Sequence, residues 1–299
     1  MKKGMLWFVV ITLFNGINNR CRAESVSLEE YDRLITPTVP TLLSFESPYK
    51  NQHLFYAGIC HDNSPDHYQY KTVDEEWDIF RKKTNLKNTV IIGELLPDAI
   101  CSSYETKDEA IRVQSDCGYV LWLAQQHNLT LIGAELPYKT VIQQLLQEFK
   151  KEHVHYFCFA FAADFWTRYE EKPDLENFIL ERVHTWTDDP SITFDYLIAL
   201  HRAYTGKTLS VPERSFFVRL MTLTHHTNLI SRLFSYFSIP KKTLRIIYPI
   251  LRRCHQLRDN HTFNVIRAQW DAGNNIFIIY GALHAAALKE SLRKLTQQS

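Results

Sequence analysis

Four short apolar runs in this 299-residue chain end alike, in a glycine with a His or Glu one to three residues later. Leu54-Phe55-Tyr56-Ala57-Gly58 leads to His61, and Thr89-Val90-Ile91-Ile92-Gly93 to Glu94. Leu129-Thr130-Leu131-Ile132-Gly133 leads to Glu135, and Ile276-Phe277-Ile278-Ile279-Tyr280-Gly281 to His284. Runs this short, separated by helical patterns, read as buried strands of a parallel sheet. The polar residues then fall just past the carboxyl ends of the strands, the edge at which open α/β sheets place their ligands. Two His and two Glu from distant parts of the chain are thus expected at one site.

The intervening segments support an α/β fold with a mixed or largely parallel sheet and flanking helices. Thr41 to Phe45 and His53 to Gly58 are extended runs on either side of the turn-rich Ser47-Pro48-Tyr49-Lys50-Asn51, which predicts an N-terminal β-hairpin. Helical stretches are expected near Val73 to Thr84, from Thr106 to about Asn128, after Pro137, from Lys241 to Ala272, and to about Leu295. Thr106-Lys107-Asp108-Glu109 has the form of a capping box. Ala110, Val113, Cys117, Val120, Leu121 and Ala124 then recur at helical spacing. Val141, Leu145 and Phe149 give the next helix its apolar face. Between about 154 and 250 strand-like runs become rare and aromatics abundant, with breaks near Pro173, Pro190, Pro212 and Pro240. This reads as a helical insertion capping the strand ends within a single domain, residues 24–299.

The N-terminus has the layout of a secretory signal over residues 1–23. Lys2 and Lys3 precede the apolar Met5 to Phe14, and Cys21-Arg22-Ala23 follows, with cleavage expected after Ala23. The alternative is an uncleaved anchor, although the apolar stretch is short for a bilayer. The expected location is secreted or periplasmic, with no stable membrane span after cleavage. A net charge of +1 gives no electrostatic case for nucleic acid as a partner. Of the six cysteines, Cys101 and Cys117 could pair in an exporting compartment, whereas Cys60, Cys158 and Cys254 sit in apolar surroundings that suit buried thiols.

Two of the four strand ends share the form Gly-x-x-His: Gly58-Ile59-Cys60-His61 and Gly281-Ala282-Leu283-His284. With nine glycines in the chain, chance gives about 0.4 such matches. Two His with one or two carboxylates suit a divalent metal with an open position for water. They equally suit a metal-free site in which His is the general base. Arg258-Asp259, on the helix before the last strand, offers an anion anchor or a group supporting a His. His153, His155, His225 and His226 lie in the helical region and read as surface or packing residues. Neighbours on an extended chain face opposite sides, so Cys60 and His61 do not read as a nucleophile pair. The sequence has no nucleophile elbow, Walker loop or Rossmann fingerprint.

The hairpin leading into Gly58-Ile59-Cys60-His61, the Glu after the next strand, Arg258-Asp259 and the closing Gly281-Ala282-Leu283-His284 together resemble the TIKI/TraB superfamily. That group includes TraB/PrgY and GumN-like proteins and the TIKI proteases, and more distantly erythromycin esterases and ChaN-like haem-binding proteins. The resemblance covers roughly residues 38–140 and 250–297 and implies the α/β core of the erythromycin esterase and ChaN-like proteins. It implies an exported hydrolase, metal-dependent in the manner of a metalloprotease, that attacks an amide or ester bond with water. His61, Glu94 and His284 would be catalytic, with Arg258 and Asp259 beside them. His61, Glu94, Glu135 and His284 would hold Mn, Co or Zn. The substrate would be a peptide or a small-molecule ester. The alternative on the same scaffold is a non-catalytic binder of a peptide, signal molecule or haem.

Overall fold

The apolar runs form strands that share one sheet. A computed structural model describes residues 40–99, 102–167, 173–206 and 241–297. The expected signal sequence, Cys21, Cys101, Pro212, Pro240, His225 and His226 lie outside the described residues. Strands β1 (Thr41–Glu46) and β2 (His53–Ile59) make the expected antiparallel hairpin. Helix α1 (Tyr68–Thr84) leads to β3 (Thr89–Gly93), and α2 (Lys107–Gln126) to β4 (Thr130–Gly133). Four helices follow: α3 (Tyr138–Glu148), α4 (Lys151–Thr167), α5 (Leu175–Thr187) and α6 (Phe194–Thr205). The chain then runs through α7 (Lys241–Asp271), β5 (Asn275–Gly281) and α8 (Ala282–Gln297).

The strand order is β1-β2-β5-β3-β4. Every pairing except β1 with β2 is parallel. The last strand in sequence is therefore the central one, between β2 and β3, and this brings the chain's closing motif beside its first.

The chain divides into two compact units, and the division falls inside α7, between Arg258 and Asp259. The first unit holds the sheet. Alternation along its strands sends Phe55, Ala57, Ile91, Phe277 and Ile279 to one face, against Tyr70, Val73, Trp77 and Phe80 of α1 and Tyr119 to Ala124 of α2. Leu54, Tyr56, Ile92, Ile276, Ile278 and Tyr280 take the other face, against Phe263, Ile266 and Trp270 of α7 and Ala285, Leu288 and Leu292 of α8. Strands covered on both faces have no need of polar alternation, which is why they read as continuous apolar runs. Full burial of one such side chain contributes about 1.5–3 kcal/mol.

The second unit is helical among its described residues. Val141 and Leu145 of α3, Val154 and Phe157 of α4, Ile179 and Val183 of α5 and Leu197 of α6 share its core. Its boundary lies earlier than the expected insertion, because α3 packs with these helices rather than with the sheet. Pro173 and Pro190 fall between helices as expected, but Pro249 lies inside α7. No helix among the described residues is long and apolar enough to cross a membrane.

Helix α2 differs most from its sequence pattern. Its N-terminus is capped as expected, with the Glu109 N–H donating to Thr106 Oγ1 at 3.1 Å. The Glu109 carboxylate accepts from the Glu105 N–H instead of closing the box on Thr106. The helix then bends sharply at Gln114 (φ −135°, ψ 20°) and Ser115 (φ 54°, ψ −135°). Eight residues of straight helix span about 12 Å. Here a Cβ on Gly118 would lie 1.9 Å from the Ala110 carbonyl oxygen, so only glycine allows the two segments to fold against each other. The bend breaks the expected apolar stripe and leaves Val113 61% exposed.

Candidate active site

The three central strands deliver three side chains to one place. His61 lies two residues beyond β2, Glu94 directly follows β3, and His284 occupies the first turn of α8 after β5. His61 Nε2 is 3.9 Å from Glu94 Oε2, and His284 Nε2 is 4.0 Å from Glu94 Oε1. The Gly281 N–H donates to Glu94 Oε2 at 2.8 Å. A Cβ at Gly281 would come within 2.9 Å of that oxygen and 3.3 Å of the His284 ring, so this glycine is needed for close approach.

Each imidazole is held from behind by an aspartate. His61 Nδ1 donates to Asp116 Oδ1 at 2.6 Å, and His284 Nδ1 donates to Asp259 Oδ1 at 2.5 Å. A carboxylate is an acceptor, so each Nδ1 carries a proton, and each Nε2 faces Glu94. The result is a chain, Asp116–His61···Glu94···His284–Asp259, in which each imidazole lies between two carboxylates. A water at hydrogen-bond distance from both partners fits a separation of about 4 Å.

Asp116 is the residue that sequence reasoning missed. It is 2% exposed and sits just past the bend of α2. Its signal was an acid on an apolar stripe, four residues before Val120 and seven before Leu123. The bend also anchors the loop that carries His61. Tyr70 Oη donates to the Asp62 carbonyl, which Ser115 Oγ also approaches at 3.0 Å, and Asn63 Nδ2 donates to the Arg112 carbonyl at 3.0 Å. Gln69 holds both backbone groups of Cys60, at 3.0 Å to its N–H and 2.8 Å to its carbonyl. His67 starts α1, its ring accepting from the Gln69 N–H at 3.4 Å.

Glu135 occupies a different position from Glu94. Strand β4 pairs only with β3, at the sheet edge. The Glu135 carboxylate accepts from the Tyr280 hydroxyl at 2.7 Å, a hydroxyl that Thr262 Oγ1 also approaches at 3.2 Å. The edge of the Tyr280 ring meets the His284 imidazole at 5.1 Å and 87°. Arg258 belongs to the second unit, where its guanidinium lies 5.7 Å from the Tyr138 ring. The Tyr56 hydroxyl is fully buried without a hydrogen-bond partner among the described residues. Burial, then the charges of Glu94 and Asp259, holds its ionisation well above the usual tyrosine range.

One cysteine expectation needs correction. Cys117 is a free thiol whose S–H donates to the Glu94 carbonyl at 3.2 Å, and Cys101 lies outside the described residues. Cys60 is exposed rather than buried, because it has already left the sheet. Cys158 and Cys254 are buried thiols as expected. His155 and His201 pack in the second unit, hydrogen-bonded to Tyr196 and Tyr156.

His61, Glu94 and Asp116 form a group with ligand atoms within 4.8 Å of one another, close enough to hold a metal ion. However, Asp116 Oδ1 is already engaged by His61 Nδ1 and by the Ser115 hydroxyl at 3.0 Å. Both histidines also turn Nε2 toward Glu94, and each is backed by an aspartate, the arrangement usual behind metal-bound imidazoles. No family model, curated protein or solved structure matches the chain.

Proposed function

We propose that the protein is a TIKI/TraB-like hydrolase that attacks an amide or ester carbonyl with water at a site formed by His61, Glu94 and His284. The observation that carries this reading is the pair of His–Asp dyads turning two Nε2 atoms toward one carboxylate. His61 Nε2, Glu94 and His284 Nε2 would hold a divalent ion such as Mn, Co or Zn, which supplies a lowered pKa for bound water and polarises the substrate carbonyl. Asp116 and Asp259 fix the imidazole tautomers. Glu94, anchored by the Gly281 N–H, is placed to accept a proton from the attacking water. His61 is the more open of the two histidines, with 55% of its side chain exposed against 8% for His284, so substrate meets the site on the His61 side.

The test is metal content and hydrolysis of a peptide and ester panel by residues 24–299, purified without a histidine tag, beside a His61→Ala/His284→Ala double variant. Near-stoichiometric metal and turnover in the first, with neither in the second, supports the reading. Turnover retained by the double variant overturns it. Ligand binding without product favours the binding-protein alternative.

A further inference from the structure

The sharpest departure from helical geometry in α2 stands one residue before the aspartate that grips His61. Ser115, at φ 54° and ψ −135°, occupies a region natural to glycine and resisted by any residue with a Cβ. The sequence nonetheless has a serine there, and its hydroxyl is in use. Ser115 Oγ lies 3.0 Å from Asp116 Oδ1, the same oxygen that accepts from His61 Nδ1, and 3.0 Å from the Asp62 carbonyl. Tyr70 Oη also donates to that carbonyl. The serine proton can therefore serve the Asp116 carboxylate while the Asp62 carbonyl stays satisfied. Asp116 is almost fully buried, so its carboxylate oxygens need such donors as partners. A glycine would remove the backbone conflict and also the hydroxyl.

We propose that Ser115 is a positioning residue for His61. It holds Asp116 in the orientation that accepts from His61 Nδ1 and turns Nε2 toward Glu94. Its catalytic consequence rests on the hydrolase reading, but its structural consequence does not.

Ser115→Gly and Ser115→Ala in the full chain separate a positioning role from a structural one. The readouts are thermal unfolding, the ¹⁵N spectrum of the His61 ring in the metal-free full chain at about pH 8, and hydrolysis of the peptide and ester panel. Ser115→Gly should unfold at the wild-type temperature or higher. Even so, His61 should lose its single Nδ1–H form, and kcat should fall about tenfold with KM little changed. Ser115→Ala, which keeps the backbone conflict and loses the hydroxyl, should show the same tautomer mixing without a gain in stability. An unchanged Nδ1–H signal in either variant overturns the proposal, as does a wild-type His61 protonated on Nε2 alone. Tautomer mixing in a chain that hydrolyses no substrate would leave the positioning role standing and remove the hydrolase reading.

Discussion

The two Gly-x-x-His segments end neighbouring parallel strands, with Gly58 opposite Tyr280 and Ile59 opposite Gly281. They present their histidines by different means. After Gly281 the chain enters α8 at once, so His284 rides on a helix packed into the core and is gripped by Asp259 from α7. After Gly58 the chain stays extended and then leaves the sheet, so His61 hangs on a loop tied to the bend of α2 through Ser115 and the Arg112 carbonyl, and to the start of α1 through Tyr70 and Gln69. One arm owes its position to packing and the other to a polar network. The same four-residue pattern therefore gives a fixed histidine and a supported one.

Removing each histidine should separate the arms most clearly. Asp259 is buried beside His284, with 12% of its side chain exposed. His284→Ala should leave that carboxylate stranded and cost about 2–4 kcal/mol in chemical denaturation. His61→Ala vacates a half-exposed space that water can fill, and Asp116 keeps the Ser115 hydroxyl. Its cost should be about 1 kcal/mol. Equal losses in the two variants would mean that the loop arm is packed as firmly as the helical one.

This difference also sets how much was legible in the sequence. His61, Glu94 and His284 could be read because strand ends fix where the next residues go, and a buried strand followed by glycine is visible as pattern. Glu135 follows the same pattern, but its strand lies at the sheet edge, and strand order is not encoded in spacing. Asp116 was hidden because its placement depends on the bend at Gln114 and Ser115, where a serine gives no signal of a glycine-like backbone. For the same reason Val113, in step with the apolar stripe, turned out exposed. Tyr280 and Tyr56 read as strand filler, and only the packing shows that their hydroxyls lie near the carboxylates.

The supporting aspartates should be unequal in activity. The His284 ring is confined by the Tyr280 edge as well as by Asp259. Asp259→Asn should therefore lower kcat/KM about tenfold. The half-exposed His61 ring depends on Asp116 for its orientation, so Asp116→Asn should lower kcat/KM about a hundredfold, with weaker metal retention in a dialysis assay. A larger loss in Asp259→Asn would reverse the assignment of fixed and supported arms.

The smallest expected effect is in thiol chemistry, which reports whether the His61 loop is held as tightly as its hydrogen bonds imply. Cys60 is exposed, yet partial burial of its sulfur, then the charges of Asp116 and Asp62, pushes its thiol up. Burial, then the charges of Asp116, Glu94 and Glu135, pushes Cys117 far higher. The thiolate is the nucleophile, so a raised pKa means slower alkylation at a given pH and a rate still climbing with pH where an ordinary thiol has levelled off. In the folded protein Cys60 should react with iodoacetamide several-fold slower than a free cysteine at about pH 8, and Cys117 should react only on unfolding. Both folded-state values are raised, so above the ordinary thiol range the unfolded chain loses protons first. Stability should then fall as pH rises. If Cys60 reacted as fast as free cysteine, the loop would open on the timescale of the reagent, and the polar network would be a weaker support than the packing around His284.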